Sequence, residues 1–262
     1  MVAKEQSETE LRQESSTLQT LSEPAPQVQS GAAPRCGFSF LKGGGEMGEL
    51  IRAFEWDNTP IGGPEGWPPA LKTMLQIMLA NRFPHILWWG PEYVQFYNDA
   101  YTPIPGTKHP DKVLGQRGCD CWSEIWHIIG PLVDRPFQGG PATWDEDILL
   151  EVHRHGFTEE THFTIAYSPV PDETVESGIG GVLATVHEIT QKVVAERRVA
   201  VLRDLGARLA NAKTAEEVCE IGARTLGAHE KDVPFALLYL TERDGRQARL
   251  AATSGIDAGG CP

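Results

Sequence analysis

The stretch from Gly178 to Arg198 constrains the fold most, because an apolar strand pattern runs into a charged helical pattern with no turn between them. Val182, Ala184 and Val186 occupy alternate positions, the period of two that is expected of a sheet strand. From Thr190 onward the spacing of apolar residues becomes helical. Thr190 stands where an N-cap residue would accept hydrogen bonds from the first free amides. The sequence therefore predicts a strand that continues directly into a helix.

Four further strand patterns precede this junction. Ile86 to Trp89 and Tyr93 to Tyr97 flank the turn residues Gly90-Pro91-Glu92, as in a hairpin. After a helical stretch come a long strand ending near Val152 and another over Phe163 to Tyr167. The order predicts an α+β fold with a five-stranded antiparallel sheet and helices on one face. One face of the long strand is predicted to carry Trp144, Glu146, Ile148, Leu150 and Val152.

The segments outside the sheet divide the chain further. Residues 1–42 are rich in Glu, Gln, Ser and Pro, so we expect a disordered tail. Residues 43–190 form the first predicted domain, which opens with helices over Met47 to Trp56 and after Pro68-Pro69. Residues 191–213 form a helix, and residues 214–262 begin a second domain. That domain opens with a capping box at Thr214 and continues to a hairpin around Asp244-Gly245.

The helix over residues 191–213 carries apolar residues at alternating intervals of three and four. Such a seam suits a parallel two-helix coiled coil, and packing against the residues that follow is an equal alternative. The helix after Thr214 is predicted to bury Val218, Ile221 and Leu226. The seam residues are Ala195, Val199, Leu202, Leu205, Leu209 and Ala212.

Several motifs resemble those of one sensor family. His187-Glu188-Ile189-Thr190 resembles the Asp-Ile-Thr signature that closes PAS domains, with Glu188 in place of the usual Asp. Over Gly43 to Arg198 the chain is similar to the PAS domain of multi-sensor (PAS/GAF) histidine kinases of bacteria and fungi, and Ala195 to Gly255 resembles the opening of a GAF domain. The supporting motifs are Phe83 to Glu92, Tyr97 to Tyr101, Cys121 to Trp126, Thr143 to Asp147, Glu159 to Thr164 and Tyr167 to Val170.

The resemblance implies a sensory signal-transduction module, the N-terminal input region of a two-component histidine kinase. Glu188 and Thr190 would anchor the junction through which ligand or partner binding is relayed to a homodimeric linker helix. The incomplete GAF portion implies an N-terminal piece of a longer protein or a truncated gene product. The segment contains no histidine-box helix and no ATP site, so we expect no enzymatic activity from it. Alternatives are an interaction module without a ligand and a sensor that binds haem, flavin or metal.

A dense aromatic set suggests where a small-molecule ligand would bind. By the family fold, part of this set lines the cleft between sheet and helices, and Asn98 supplies a polar group there. The plainer interpretation is a filled core, because aromatic residues dominate cores as readily as pockets. The candidate pocket residues are Trp89, Phe96, Tyr97, Asn98, Tyr101, Trp122 and Trp126.

Charge and chemistry exclude several other functions. Acidic residues outnumber basic ones 36 to 23, giving a net charge of -13, so we expect no nucleic-acid partner. No stretch is apolar enough for a membrane span or signal peptide, which predicts a cytoplasmic protein. Cys119 and Cys121 are interpreted as structural thiols, outside a flavin photochemical context. His153, His155 and His162 could converge, but solvated histidines are the simpler interpretation, so no metal site and no cofactor is assigned.

Overall fold

A five-stranded antiparallel sheet organises the chain in the computed structural model, which describes residues 37–242 and 245–256. Its strand order is β2-β1-β5-β4-β3, so the last strand lies at the centre between β1 and β4. This arrangement confirms the predicted α+β class and antiparallel sheet. The strands are β1 His85–Trp89, β2 Val94–Tyr97, β3 Thr143–His153, β4 Thr158–Pro171 and β5 Ile179–Glu188.

Both faces of this sheet are covered by helical segments. α4 (Trp126–Phe137) packs against β3, β4 and β5, whereas α2 (Pro69–Ala80) packs against β1, β2 and β4. Trp56 and Trp67 lie in the connection between α1 and α2, and both pack against Phe96 on β2. The predicted helical extension thus adds a second layer behind the sheet. The helices of this part are α1 Gly45–Ala53, α2 Pro69–Ala80, α3 Gly118–Cys121 and α4 Trp126–Phe137.

The boundary of the folded region lies earlier than expected. Phe38 and Leu41 are buried in the core, and the Phe38 ring packs edge-on against Trp67 at 5.8 Å. Residues 37–42 were expected in the disordered tail, but two apolar side chains are enough to fix them against the N-terminal extension. Residues 1–36, the rest of that predicted tail, lie outside the described residues.

The long strand β3 does not keep one face throughout. Its pairing with β4 shifts between Asp145 and Ile148, where a bulge adds residues on the β3 side. Ile148, Leu150 and Val152 are buried as predicted, whereas Trp144 is 62% exposed. A bulge changes which face the residues beyond it present. The prediction that Trp144 shares the buried face was therefore wrong.

Beyond the sheet, the chain forms two helices and a hairpin: α5 Thr190–Leu209, α6 Ala215–Gly227, β6 Ala236–Thr241 and β7 Ala248–Ser254. The Thr214 hydroxyl accepts a hydrogen bond from the Glu217 N–H, which confirms the predicted N-cap. Glu217 in turn accepts from the Lys213 N–H. Val218 is 40% exposed, contrary to prediction, and Cys219 is buried instead.

The hairpin turn was predicted around Asp244, which lies outside the described residues. β6 and β7 pair antiparallel on either side of it, as in the predicted hairpin. Within the described parts of the chain, no helix has the length and apolar character needed to cross a membrane.

Candidate functional site

A small cavity lies between the sheet and the segments that cover it. Its volume is about 30 Å³. Pockets that bind drug-sized ligands usually measure roughly 300–1,000 Å³, so the core is nearly filled. The lining residues are almost all apolar or aromatic: Trp88, Tyr101, Ile104, Trp122, Ile125, Ile129, Leu150, Val152, Phe163, Ile165, Tyr167 and Val186.

Of the seven residues predicted for a pocket, Tyr101 and Trp122 line this cavity. Trp89 and Phe96 lie on the opposite face of the sheet. Phe96 pairs with Leu87, whereas Trp88, which lines the cavity, pairs with Gln95. Because side chains alternate across a strand, Trp89 and Phe96 point away from the cavity.

Three other predicted pocket residues have structural partners elsewhere. The Tyr97 hydroxyl bonds His109 Nδ1 at 2.7 Å, and the half-buried Trp126 ring packs against Tyr93. Asn98 is fully buried, and its Oδ1 accepts from the His85 N–H at 3.0 Å. None of the three lines the cavity.

The Asn98 amide nitrogen donates to backbone carbonyls at the end of α2 and the approach to β1, those of Met78, Asn81 and Phe83. Its hydrogen-bonding capacity is thus used by the backbone. Asn98 fastens α2 to the sheet, and the structure does not direct it toward a ligand.

Sequence reasoning missed the polar residue that positions two tryptophans of the cavity wall. Gln95 is fully buried, and its Oε1 accepts from Trp122 Nε1 at 2.7 Å and from Trp88 Nε1 at 3.4 Å. A glutamine at an inward position of a short strand was the available signal, because a buried amide requires partners.

The cysteines near this cavity do not line it. Cys121 is buried, and burial raises the pKa of its thiol to about 11. A thiol with that pKa is protonated and a poor nucleophile at neutral pH. Cys119 is exposed.

The strand-to-helix junction is held by an ion pair with a residue that the sequence did not suggest. Two guanidinium nitrogens of Arg154, a buried residue that directly follows β3, each lie 2.8 Å from a Glu188 carboxylate oxygen. Arg154 also donates to the carbonyl of Ile104 in the cavity wall at 3.4 Å. Burial opposes ionisation of Glu188, but the hydrogen bonds from Arg154 and Thr190 outweigh it and lower the pKa of Glu188. A bidentate geometry of this kind fixes orientation as well as distance.

Thr190 lies at the junction but does not act as an N-cap. The capping position is Ile189, whose N–H still bonds the His162 carbonyl of β4 at 2.8 Å. The helix thus begins one residue earlier than predicted, and the chain stays paired to the sheet up to Ile189. The Thr190 hydroxyl accepts from the His162 N–H at 3.0 Å and donates to Glu188 at 2.9 Å. Thr190 therefore ties the start of α5 to two strands.

A second ion-pair cluster lies further along α5. Arg197 donates to Glu160 of β4 and, at 2.8 and 3.0 Å, to Asp232 in the loop after α6. The hydrogen bond from Arg197, with one from His162, lowers the pKa of Glu160 to about 2. Arg197 thus links the five-stranded sheet, α5 and the C-terminal segment.

The three histidines that could have converged do not share a site, because His155 and His162 bond different carboxylates. His162 contacts Asp147 and Glu160, while His155 contacts Glu159. No group of three or more potential ligand side chains that could hold a metal occurs among residues 37–242 and 245–256.

The predicted seam of α5 is largely open. Val199 is 64% and Leu202 is 68% exposed, whereas the buried residue of this helix is Val201. α5 also packs against α6. The helix thus uses one side for packing within the chain and leaves part of the predicted coiled-coil seam accessible.

Comparisons with known proteins give a likeness in fold only. No family model matches the chain, and neither does any curated protein. Among solved structures, the PAS domain of BvgS from Bordetella pertussis is 18% identical, with a TM-score of 0.37 over 51% of this chain and 96% of that one. A LOV protein from Rhodobacter sphaeroides is 13% identical, with a TM-score of 0.37 over 62% and 93% of the two chains. A sensory box sensor histidine kinase from Vibrio cholerae is 13% identical, with a TM-score of 0.29 over 45% and 86%.

These values are too low to support an argument about function. The fold assignment rests instead on the strand order and register of the sheet.

Proposed function

We propose that the chain is a sensory signal-transduction module that relays ligand or partner binding from the five-stranded sheet to helix α5. The observation that supports this proposal is a continuous set of hydrogen bonds from the cavity wall to the helix. It runs from the Ile104 carbonyl through Arg154 and Glu188 to Thr190. A displacement of the cavity wall would therefore act on the residue at which α5 begins.

The mechanism is a shift between two arrangements of the junction. A ligand or partner that prefers one position of the Ile104 segment changes the geometry available to Arg154. Because Arg154 binds Glu188 in a bidentate manner, the carboxylate follows or the pair breaks. The ligand shifts the equilibrium only by its differential affinity for the two arrangements.

The wider proposal is that the chain is the input region of a two-component histidine kinase that dimerises through α5. The motifs that resemble multi-sensor kinases support the kinase context. The exposed Val199 and Leu202 support a helix pair, because they belong to a seam of alternating threes and fours. Residues 214–262 would then be the opening of the GAF domain.

Histidine autophosphorylation, measured on the native protein that contains this chain, tests both the kinase context and the relay through Arg154. We expect Arg154→Gln to change the phosphorylation rate, because it removes one side of the ion pair at the junction. Arg135→Gln is the matched control, because Arg135 is exposed on α4 away from the junction. Absence of histidine phosphorylation would refute the kinase context. Equal rates in wild type and Arg154→Gln would refute the relay.

An interaction module without a ligand is the second candidate, and the small volume of the cavity favours it. In that case dimerisation through α5 would be unaffected by small molecules that enter the core. The dimer dissociation constant, measured by sedimentation with and without such molecules, separates the two candidates: a change favours the relay, and no change favours the interaction module.

A further inference from the structure

Both ring nitrogens of His162, a buried residue of β4, face a carboxylate. Nδ1 lies 2.6 Å from Asp147 Oδ1, and Nε2 lies 3.0 Å from Glu160 Oε1. A neutral imidazole has one N–H group, whereas an ionised carboxylate only accepts hydrogen bonds. With a neutral ring, one of the two contacts would therefore place two acceptors against each other. Only a ring that carries a proton on both nitrogens donates to both carboxylates.

The same residue contacts the start of α5 through its backbone. The His162 N–H donates to the Thr190 hydroxyl at 3.0 Å, and its carbonyl accepts from the Ile189 N–H at 2.8 Å. Glu160, which the ring contacts, also accepts a hydrogen bond from Arg197, about two turns into the helix. The number of protons on this one ring therefore bears on the first two turns of α5.

The charges around the ring leave one carboxylate for it to neutralise. Arg197 divides its hydrogen bonds between Glu160 and Asp232. Within residues 37–242 and 245–256, Asp147 forms no ion pair with a Lys or Arg, so a second proton on His162 supplies its positive partner. The charged and titratable groups next to His162 or its partners are Asp147 and Glu151 on β3, Glu160 on β4, His187 and Glu188 on β5, Arg197 on α5, and Lys231 and Asp232 after α6.

We propose that His162 makes the attachment of α5 sensitive to pH, so that a proton is the ligand whose binding the module relays. The ring with two protons bonds both Asp147 and Glu160, and Glu160 in turn holds Arg197. As the pH rises through the range in which histidine titrates, roughly pH 5–8, one ring proton passes to the solvent and one carboxylate contact is lost. Contacts that require the charged ring are therefore complete at the acid end of this range and lost at the alkaline end.

This inference rests on the proposed sensory function, since it names the stimulus that acts on the same junction. A proton needs no pocket, which agrees with a core whose cavity measures about 30 Å³. The titration of Glu160 does not overlap with that of the ring, because the hydrogen bonds from Arg197 and His162 lower the pKa of Glu160 to about 2.

The test is a pH titration of the complete chain between pH 5 and pH 8, followed by NMR of the histidine ring nitrogens and the backbone amides. We expect both nitrogens of His162 to carry a proton at the acid end, and the amides of residues 190–197 to shift with the same midpoint as the ring. In His162→Gln this titration of the amides should be lost, because glutamine does not change charge. His127→Gln, which removes an exposed histidine of α4, should leave it unchanged.

Asp147→Asn is a second variant that keeps the ring and removes the charge of one partner. The Asp147 side chain is 52% exposed, so this substitution should preserve the fold. Loss of the negative charge should lower the titration midpoint of the His162 ring by about 0.5–1 pH unit, and that of the α5 amides by the same amount.

Amide shifts over residues 190–197 that are the same in the wild type and His162→Gln would overturn the proposal. A ring that carries a proton on only one nitrogen at pH 5 would also overturn it, as would an unchanged ring midpoint in Asp147→Asn. Each of these results leaves the proposed relay standing if Arg154→Gln still alters autophosphorylation, so the two failures are distinguishable.

Discussion

Thr190 illustrates how one hydroxyl connects elements that belong to different layers. It accepts from the β4 backbone at His162 and donates to Glu188, so its role is to anchor α5 to the sheet. A cap would have stabilised the helix alone. The difference matters because an anchor transmits displacement between sheet and helix.

Replacing Thr190 with Val should lower the free energy of unfolding by about 1 kcal/mol, because the isosteric side chain forms neither hydrogen bond. Thr190→Ser keeps the hydroxyl and should remain within a few tenths of a kcal/mol of wild type. Urea denaturation measures both. Equal losses in the two variants would contradict the assigned role.

Glu160 makes the attachment of α5 sensitive to acid. Its pKa of about 2 in the folded protein lies below the value of about 4.3 for an unfolded chain. The stabilisation is therefore fully present above about pH 5 and is lost as the pH falls toward 2.

The stability difference between wild type and Glu160→Gln should accordingly shrink between pH 6 and pH 3. Urea midpoints at a series of pH values provide the measurement, and Glu173→Gln, in the loop after β4, is the exposed control. A difference that stays constant with pH would show that the carboxylate charge of Glu160 does not contribute.

At the scale of elements, strand and helix periodicity predicted the sheet and most helix positions, whereas the pocket was predicted less well. Strand alternation would have placed Trp89 and Phe96 on one face and Trp88 on the other. What alternation does not reveal is that the N-terminal extension buries the second face, so both sets look equally apolar in sequence. The bulge that turns Trp144 outward likewise has no clear signal in residue type.

The partners of polar residues were harder still to predict. Arg154 meets Glu188 across 34 positions of sequence, and only the register of three strands brings them together. Asn98 was read as a pocket residue because its three backbone acceptors come from a helix end and a loop. Such bonds depend on tertiary placement, which local propensity does not encode.

Helix α5 should use its two sides differently. The double variant V199Q/L202Q should weaken dimerisation in sedimentation experiments while keeping monomer stability, because both residues are exposed. Val201→Ala should leave dimerisation unchanged and lower the free energy of unfolding by roughly 1–3 kcal/mol. Unchanged association in V199Q/L202Q would rule out this surface as the dimer seam.

At the scale of the whole molecule, α5 is held at two attachments. The Arg154, Glu188 and Thr190 cluster fixes where the helix begins, and Arg197 holds the helix to both β4 and the loop after α6. A change at the first attachment must therefore reach the second through the helix or through β4. This arrangement makes the helix backbone the place where the relay can be observed.

Amide hydrogen exchange over residues 190–197 tests the central claim most directly. We expect Ile104→Ala to raise exchange there, because loss of this side chain from the cavity wall displaces the backbone carbonyl that accepts from Arg154. Combining it with Arg154→Gln should add little to the effect of Arg154→Gln alone, because both changes act on one set of contacts. Ile129→Ala is the matched control, since Ile129 lines the same cavity on α4 without bonding to Arg154. The account predicts faster exchange in Ile104→Ala than in Ile129→Ala, and equal exchange in these two variants would contradict it.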